Sequence, residues 1–186
     1  MALRKAFWIV VGTLLALPAA AQWKDWDYEL DQEKKPWEEL QAQLPPYPKA
    51  ENLLKFDPGA NSSNNYFVDA ASLSVGEDKV VRYTLVVKTG GGATNVSFEG
   101  IHCEKGQLRV YAFGRPISPN SPNGPNSPWS RARDSSWRPI VYREVNGHHN
   151  TLYRGYMCTR ARNSEPESVK QIITTLKRVM HPGGVN

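Results

Sequence analysis

Hydrophobic and polar positions alternate along the middle of the chain, which is the pattern of half-buried β-strands. Residues 80–87 show it best, because β-branched residues dominate and every second side chain is apolar. Four further runs share this character, at residues 66–70, 95–103, 108–113 and 137–142. Glycine turns at residues 90–92 and 105–106 separate the central three runs, and connections this short join antiparallel neighbours. We therefore expect an antiparallel meander, in which Leu108 and Ala112 share one face of their strand.

The last hydrophobic segment changes to the 3.6-residue period of an α-helix. Its apolar stripe consists of Val169, Ile172, Ile173, Leu176, Val179 and Met180. A capping-box pattern from Ser164 to Glu167 predicts where this helix begins. The spacing of Trp37, Leu40 and Leu44 predicts a second, shorter amphipathic helix. Helices that cover an antiparallel sheet define the fold class α+β.

The amino terminus has the pattern of a secretory signal peptide. A short basic segment precedes an apolar run over residues 6–17, which Pro18 ends. Small residues at Ala19 and Ala21 fit the subsites of signal peptidase and predict cleavage between Ala21 and Gln22. A membrane-spanning helix needs ~20 apolar residues, more than this run provides. Because no cysteine stands at the cleavage site, we expect an exported, periplasmic protein of 165 residues with neither a membrane anchor nor a lipid.

The chain has two cysteines, Cys103 and Cys158. In an oxidising compartment, two cysteines with no other possible partner favour one intrachain disulfide. The loop that it would close spans 55 residues, for which the chain-entropy description gives ~4 kcal/mol of stabilisation. A reactive or metal-binding pair is the alternative, and the wide spacing, unlike C-x-x-C, disfavours it.

Charge is distributed unevenly along the chain. The full chain carries a net charge of +5, whereas residues 22–100 carry −5 and residues 101–186 carry +8. The acidic part includes a leader, residues 22–48, in which charged and aromatic side chains alternate. Within the basic part, proline recurs every third residue over residues 117–128, which predicts an exposed loop.

No familiar catalytic motif occurs in the sequence, which contains neither G-x-S-x-G, nor H-E-x-x-H, nor a phosphate-binding glycine loop. His148 and His149 are adjacent, so their side chains diverge, and neither has an acidic neighbour at metal-ligand spacing. We therefore interpret the histidines as solvated surface residues. We predict no catalytic, cofactor-binding or metal-ligating residue and no cofactor.

Arg131, Arg133 and Arg138 are the candidate anion-binding residues. They alternate with Trp129 and Trp137 in a loop-like stretch, where arginines are expected to be exposed. Guanidinium groups suit phosphate oxygens, and a nearby indole can pack against apolar parts of a ligand. The predicted partner is therefore an anionic component of the bacterial envelope. Alternatively, acidic residues of the leader lie across these arginines, namely Asp25, Asp27, Glu29, Asp31 and Glu33.

Several segments carry a family resemblance. The main ones read VVRYTLVVKTGGGATNVSFEGIHCEKGQLRVYAFGR, SSWRPI and LYRGYMC, and PWEELQAQLPPYPKAENLLKF and FVDAASLSVGEDKVVRYTLV extend them upstream. Together they cover residues 37–158, and they resemble the CNP-one-like family of exported betaproteobacterial proteins. The resemblance implies a secreted domain of unassigned activity, with no established catalytic residues. The loop at residues 117–128 looks longer than the family pattern.

These observations predict three segments: a signal peptide at residues 1–21, the leader at residues 22–48 and one α+β domain at residues 49–186. We expect a non-enzymatic periplasmic binding or envelope-accessory domain, whose partner is an anionic envelope component or a periplasmic protein. A periplasmic enzyme assembled from dispersed polar residues is the alternative. Basic and aromatic residues also suit nucleic acids, but export argues against such a partner.

Overall fold

Seven strands form one antiparallel sheet in the computed structural model, which describes residues 37–58, 62–115, 128–141, 147–159 and 164–180. They are β1 (Leu53–Phe56), β2 (Asn65–Val75), β3 (Val80–Lys88), β4 (Thr94–His102), β5 (Gln107–Gly114), β6 (Trp129–Arg131) and β7 (Arg138–Pro139). Strands β1 to β6 neighbour one another in chain order, and β6 and β7 pair with opposite ends of β5. The predicted antiparallel meander is confirmed.

Glycines at the two predicted turns adopt backbone conformations that other residues rarely reach. Gly92, between β3 and β4, has φ of 87°, and Gly106, between β4 and β5, has φ of 58°. The β3–β4 ladder runs without interruption from Val80, opposite His102, to Lys88, opposite Thr94. These hairpins set the register of the central strands.

Two helical regions lie in the carboxyl-terminal part. Helix α1 (Gly147–Leu152) continues directly into a π-helical turn, Tyr153–Met157, and helix α2 covers Val169–Met180. Helix α2 is amphipathic, as predicted, and it contacts β1 and β2. The α+β class is therefore confirmed. None of the helices in the described parts of the chain is long and apolar enough to cross a membrane.

Helix α2 begins later than the sequence predicted. Its capping box consists of Ser168 and Gln171: the Gln171 N–H donates to Ser168 Oγ (3.3 Å), and the Ser168 N–H donates to Gln171 Oε1 (3.1 Å). The prediction that Ser164 and Glu167 form the box is wrong. The chain is still extended there, because Pro166 forms a β-bridge with Cys158.

Each face of the sheet has its own hydrophobic cluster. The helix-side cluster joins residues of β1 to β5 to the helices, and its fully buried members include Phe56, Tyr83, Ile101, Ile172 and Leu176. The opposite cluster consists of Val86, Val96, Phe98, Ala112 and Trp129. Residues 38–49, which we call the strap, cover this second face with Ala42, Leu44 and Tyr47. We therefore call the cluster on this face the strap-side cluster.

The strap contains no helix, so the helix predicted from Trp37, Leu40 and Leu44 is wrong. Side-chain contacts hold it in an irregular conformation instead. Leu44 packs on the sheet, and the Trp129 indole N–H donates to the carbonyl of Pro45 (2.6 Å). Prolines within the strap also remove N–H groups that a helix would need.

A β-bulge interrupts the alternation of β5. Phe98 pairs with Ala112 and Glu99 pairs with Val110, so Tyr111 is an extra residue in the ladder. As a result Leu108 joins the helix-side cluster whereas Ala112 joins the strap-side cluster, and the predicted common face is wrong. The strand predicted at residues 137–142 shortens to the two residues of β7, where Pro139 has no N–H to donate.

The predicted disulfide between Cys103 and Cys158 is present, with a Cα–Cα distance of 5.6 Å. It joins the residue after β4 to the residue after the π-helical turn. The bridge therefore attaches the helical part of the chain to the sheet.

Candidate functional site

Glu39 attaches the strap to the sheet through a set of charged contacts. Its Oε1 accepts a hydrogen bond from the Tyr111 hydroxyl (2.7 Å), and its Oε2 accepts one from the Trp137 indole N–H (2.9 Å). Arg109 Nη1 donates to the same Oε2, and Arg82 Nη2 lies 3.8 Å from Oε1. One carboxylate thus contacts two arginines and two aromatic side chains.

A buried ion pair between Arg82 and Asp78 lies next to these contacts of Glu39. Arg82 donates to both carboxylate oxygens of Asp78, at 2.5 and 3.1 Å. The same two residues hold the backbone of Leu40, whose N–H donates to Asp78 (2.9 Å) and whose carbonyl accepts from Arg82 (3.0 Å). Burial alone would raise the pKa of Asp78, but the hydrogen bonds and the charge of Arg82 lower it below its usual value. Asp78 is therefore ionised at neutral pH.

The ring of Tyr111 lies across Gly100. A Cβ at that position would come within 2.5 Å of the Tyr111 hydroxyl oxygen. The ring packs against Phe98, with centroids 5.4 Å apart, and lies 5.8 and 5.4 Å from the guanidinium carbons of Arg82 and Arg109. Burial, followed by the hydrogen bond to Glu39, raises the pKa of Tyr111, so its hydroxyl keeps its proton and donates it to Glu39.

A cleft of about 410 Å³, the strap cleft, separates the strap from β5 and β6. Strap residues 39–42 form one wall, and Arg109, Arg131 and Ser135 lie on the other. Arg109 donates to Ser135 Oγ (3.0 Å) as well as to Glu39. Arg131 is exposed and forms no ion pair within the described residues. Leu40, with 47% of its surface exposed, adds an apolar side to the cleft.

The structure separates the three arginines that the sequence grouped together. Arg131 pairs with Ala112 at one end of β5, whereas Arg138 pairs with Leu108 four residues away, which corresponds to about 13 Å along a strand. Arg133 is exposed, and Arg138 lies near Asp134. The sequence missed Arg109, which the fold brings into the strap cleft beside Arg131. The sequence alone does not show that Arg109 lies in this cleft, because its neighbours there come from the strap and from residues 131–135.

Trp129 and Trp137 both donate their indole N–H to groups within the protein. Trp129 is 6% exposed, so the expectation that its indole packs against a ligand is wrong. The Trp137 N–H is bonded to Glu39. The acidic residues at positions 25–33 that were expected to cover the arginines lie outside the described residues. Within the described part of the leader, Glu39 makes such a contact, with Arg109.

A second polar network lies on the helix side of the sheet, around Glu99. Its Oε2 accepts from the Tyr83 hydroxyl (2.8 Å) and lies 3.0 Å from His149 Nε2, and its Oε1 accepts from Ser97 (2.6 Å). Burial would raise the pKa of Glu99, but its electrostatic interaction with His149 and the hydrogen bonds from His149, Ser97 and Tyr83 lower it to about 2. The network connects β3, β4 and α1.

The histidines are less exposed than the sequence suggested. His148 is 8% exposed, so its interpretation as a solvated surface residue is wrong, and His102 is also buried, with 1% exposed. The His148 ring packs on Tyr66, with centroids 4.7 Å apart, and burial lowers its pKa to about 4. No group of three or more histidine, cysteine, aspartate or glutamate side chains within the described residues is arranged to hold a metal ion.

A carboxylate that is hydrogen-bonded to a histidine also occurs in catalytic sites. There the other ring nitrogen of the histidine accepts and donates a proton during the reaction. Here Glu99 is 3% and Tyr83 is 0% exposed. Three protein donors occupy the Glu99 oxygens, and they join two strands to a helix. This arrangement suits a buried structural network, because every charge-assisted bond is internal to the fold.

Comparison with known proteins places the chain in one family. No curated protein and no solved structure matches the chain significantly. The profile of the CNP1-like family matches residues 32–177, which include the strap, the whole sheet and most of α2. It is the family that the sequence segments resemble. The chain belongs to the CNP1-like family.

Proposed function

We propose that the mature protein is a non-enzymatic binding domain of the periplasm, and that its strap cleft holds an anionic group of an envelope component. The observation that carries this proposal is the position of Arg131, which lies on the wall of the cleft beside Arg109 without an ion-pair partner among the described residues. A guanidinium group at such a place offers its planar donors to phosphate oxygens.

The rest of the cleft fits an amphipathic ligand. The Glu39 carboxylate offsets one of the two arginines, so the cleft keeps one net positive charge. The exposed Leu40 lies on the same cleft and offers contact to the apolar part of a lipid or glycolipid. Anionic phospholipids and phosphorylated glycolipids combine these two properties. The contacts of Glu99 on the opposite face favour a structural role for that network over a catalytic one.

Co-sedimentation with vesicles tests the ligand. We expect the mature protein to sediment with phosphatidylglycerol vesicles or with lipopolysaccharide at low salt, and the Arg131→Glu/Arg133→Glu variant to sediment several-fold less. The two preparations distinguish a phospholipid from a glycolipid source. Added salt should weaken binding, because the Debye length shrinks to ~8 Å at physiological ionic strength.

A matched control separates the strap cleft from general attraction by charge. The Lys55→Glu/Lys177→Glu variant has the same net charge, and both of its lysines are exposed, on β1 and α2, outside the strap and its cleft. This control should sediment like the wild type. If both variants lose binding equally, or if neither does, the strap cleft is not the site.

Export is tested separately by sequencing the amino terminus of the protein recovered from a periplasmic fraction. Cleavage by signal peptidase after Ala21 should leave Gln22 as the first residue. Recovery of the intact Met1 end in the membrane fraction would instead indicate an uncleaved anchor and would contradict the periplasmic assignment.

A further inference from the structure

A larger polar groove, of about 700 Å³, lies on the helix side of the sheet. The π-helical turn contributes Arg154, Gly155 and Tyr156 to it, and helix α2 contributes its polar face. We call it the C-terminal groove. Because α2 packs on the helix-side cluster and the strap covers the opposite cluster, this groove is separate from the strap cleft.

The α2 wall is polar over its whole length. The residues that line the groove are Lys170, Gln171, Thr174, Thr175 and Arg178. They fall on one side of the helix, whereas the buried Ile172 and Leu176 fall on the opposite side. Lys170 and Arg178 are eight residues apart, so their Cα atoms are separated by about 12 Å along the helix axis. Both long side chains can therefore reach one ligand that lies between them.

Positive charge predominates in the groove. Among the described residues that line it, Arg154, Lys170 and Arg178 are accompanied by a single carboxylate, Glu167. Arg154 is held in place, since its Nε donates to Asn150 Oδ1 (3.2 Å). Within the described residues, neither Lys170 nor Arg178 forms an ion pair. Two cationic side chains therefore remain available to a ligand.

The two walls are fixed relative to each other. Cys158, at the end of the π-helical turn, is bonded to Cys103 and forms a β-bridge with Pro166. The Glu167 N–H donates to the carbonyl of Met157 (2.8 Å). These contacts leave the groove pre-organised, which lowers the entropic cost of binding.

The π-helical turn that forms one wall of the groove is a second feature that favours a binding site there. Turns of π-helix are rare and are often found at functional sites. At Gly155, inside this turn, no atom from outside the turn lies within 4 Å of the place that a Cβ would occupy, so the wall is open to a ligand there.

We infer that the C-terminal groove is a second binding site, for a ligand that carries two or more phosphate groups. Its volume falls within the range of about 300–1,000 Å³ that is typical of small-ligand sites. One phosphate group would contact only part of the row from Lys170 to Arg178, whereas an oligophosphate or a multiply phosphorylated headgroup can contact its whole length.

Calorimetric titration of the mature, oxidised protein with inorganic tripolyphosphate and with orthophosphate tests this inference. We expect tripolyphosphate to bind more tightly, because it reaches several cations at once. The Lys170→Gln/Arg178→Gln variant should lose roughly tenfold or more in affinity, as expected when charge-assisted hydrogen bonds are removed. The conservative variant Lys170→Arg/Arg178→Lys should keep most of it.

Two controls make the result specific. The Lys55→Gln/Lys177→Gln variant has the same net charge as the groove variant and alters exposed lysines outside the groove, so it should bind like the wild type. The Arg131→Glu/Arg133→Glu variant should also keep its affinity for tripolyphosphate, which distinguishes this site from the strap cleft. Equal affinities for the two phosphates, or equal losses in the groove variant and its control, would overturn the inference. Vesicles of phosphatidylglycerol then show whether lipid headgroups compete with the soluble ligand.

Discussion

Gly100 is the position at which the sheet accepts the ring of Tyr111, and its substitution tests the strap-side contacts at the scale of one residue. In Gly100→Ala, the new Cβ would lie 2.5 Å from the Tyr111 hydroxyl oxygen. Tyr111 cannot move freely, because Glu39 binds it and Phe98 packs against it. We expect a loss of about 1–3 kcal/mol in the free energy of unfolding, as for other overpacked sites.

Urea denaturation measures this loss, and Gly155→Ala is the matched control. A Cβ at Gly155 meets no atom within 4 Å outside its own helical turn, so that substitution should leave stability unchanged or raise it by up to about 1 kcal/mol, since alanine is a better helix former than glycine. Equal stability of Gly100→Ala and the wild type would show that Tyr111 is not fixed as described.

His148 predicts a dependence of stability on pH. Burial lowers its pKa from 6.5 to about 4 in the folded protein, so between these values the unfolded chain binds more protons than the folded one. The contribution of neutral His148 to the free energy of unfolding is therefore fully present above pH 6.5. It is lost as the pH falls towards 4. The difference corresponds to about 3 kcal/mol.

Denaturation over a pH series, in the wild type and in His148→Phe, measures this contribution. The substitution keeps an aromatic ring against Tyr66 and removes the titration, so the variant should lose less stability between pH 6.5 and 4.5. Burial also lowers the pKa of His102, but that residue is present in both proteins and cancels in the comparison. Parallel curves would contradict the assignment.

Among individual residues, the sequence correctly predicted the disulfide between the two cysteines and the glycines at the turns. Both features are recognised from local spacing or composition. It missed Glu39 and Glu99, because their partners are distant along the chain. Glu39 contacts Arg109 across 70 residues, and Glu99 contacts His149 across 50. A carboxylate with no local partner is indistinguishable from a solvated one until the strands are paired.

The amino-terminal end of α2 provides a test at the scale of one element. Ser168 accepts a hydrogen bond from the Gln171 N–H, so Ser168→Ala should cost about 1 kcal/mol, as is typical for the loss of a helix cap. Thr174→Ala, an exposed substitution inside the same helix, should be neutral or slightly stabilising, since alanine is the better helix former. Thermal or chemical denaturation of both variants measures the difference. Equal effects would show that the cap does not form.

Elements with a strong period were predicted, whereas elements defined by tertiary contacts were not. The central hairpins and α2 follow from apolar spacing alone. The strap has the spacing of a helix, but its conformation depends on Trp129 and Asp78, which bind Pro45 and Leu40. The bulge at Tyr111 likewise leaves no mark in the sequence, because it arises where two strands pair.

The disulfide affects the stability of the whole molecule. It closes a loop of 55 residues and joins the helical part to the sheet. Its reduction should cost about 2–5 kcal/mol, the usual loss in small secreted domains. Thermal melting with and without reductant measures this loss of stability. Free-thiol labelling of the denatured, untreated protein measures how much of the disulfide has formed. Two labelled thiols in the untreated protein would show that the bridge does not form in solution.

The central claim is that the strap cleft binds an anionic, amphipathic ligand, and an NMR titration of the mature protein tests it most directly. Short-chain phosphatidylglycerol should shift the amide resonances of Leu40, Arg131 and Ala132, which line the strap cleft. The same titration of Arg131→Glu should leave these resonances in place, while the spectrum still shows a folded sheet. If the wild-type shifts cluster elsewhere, or if they persist unchanged in the variant, the strap cleft is not the ligand site.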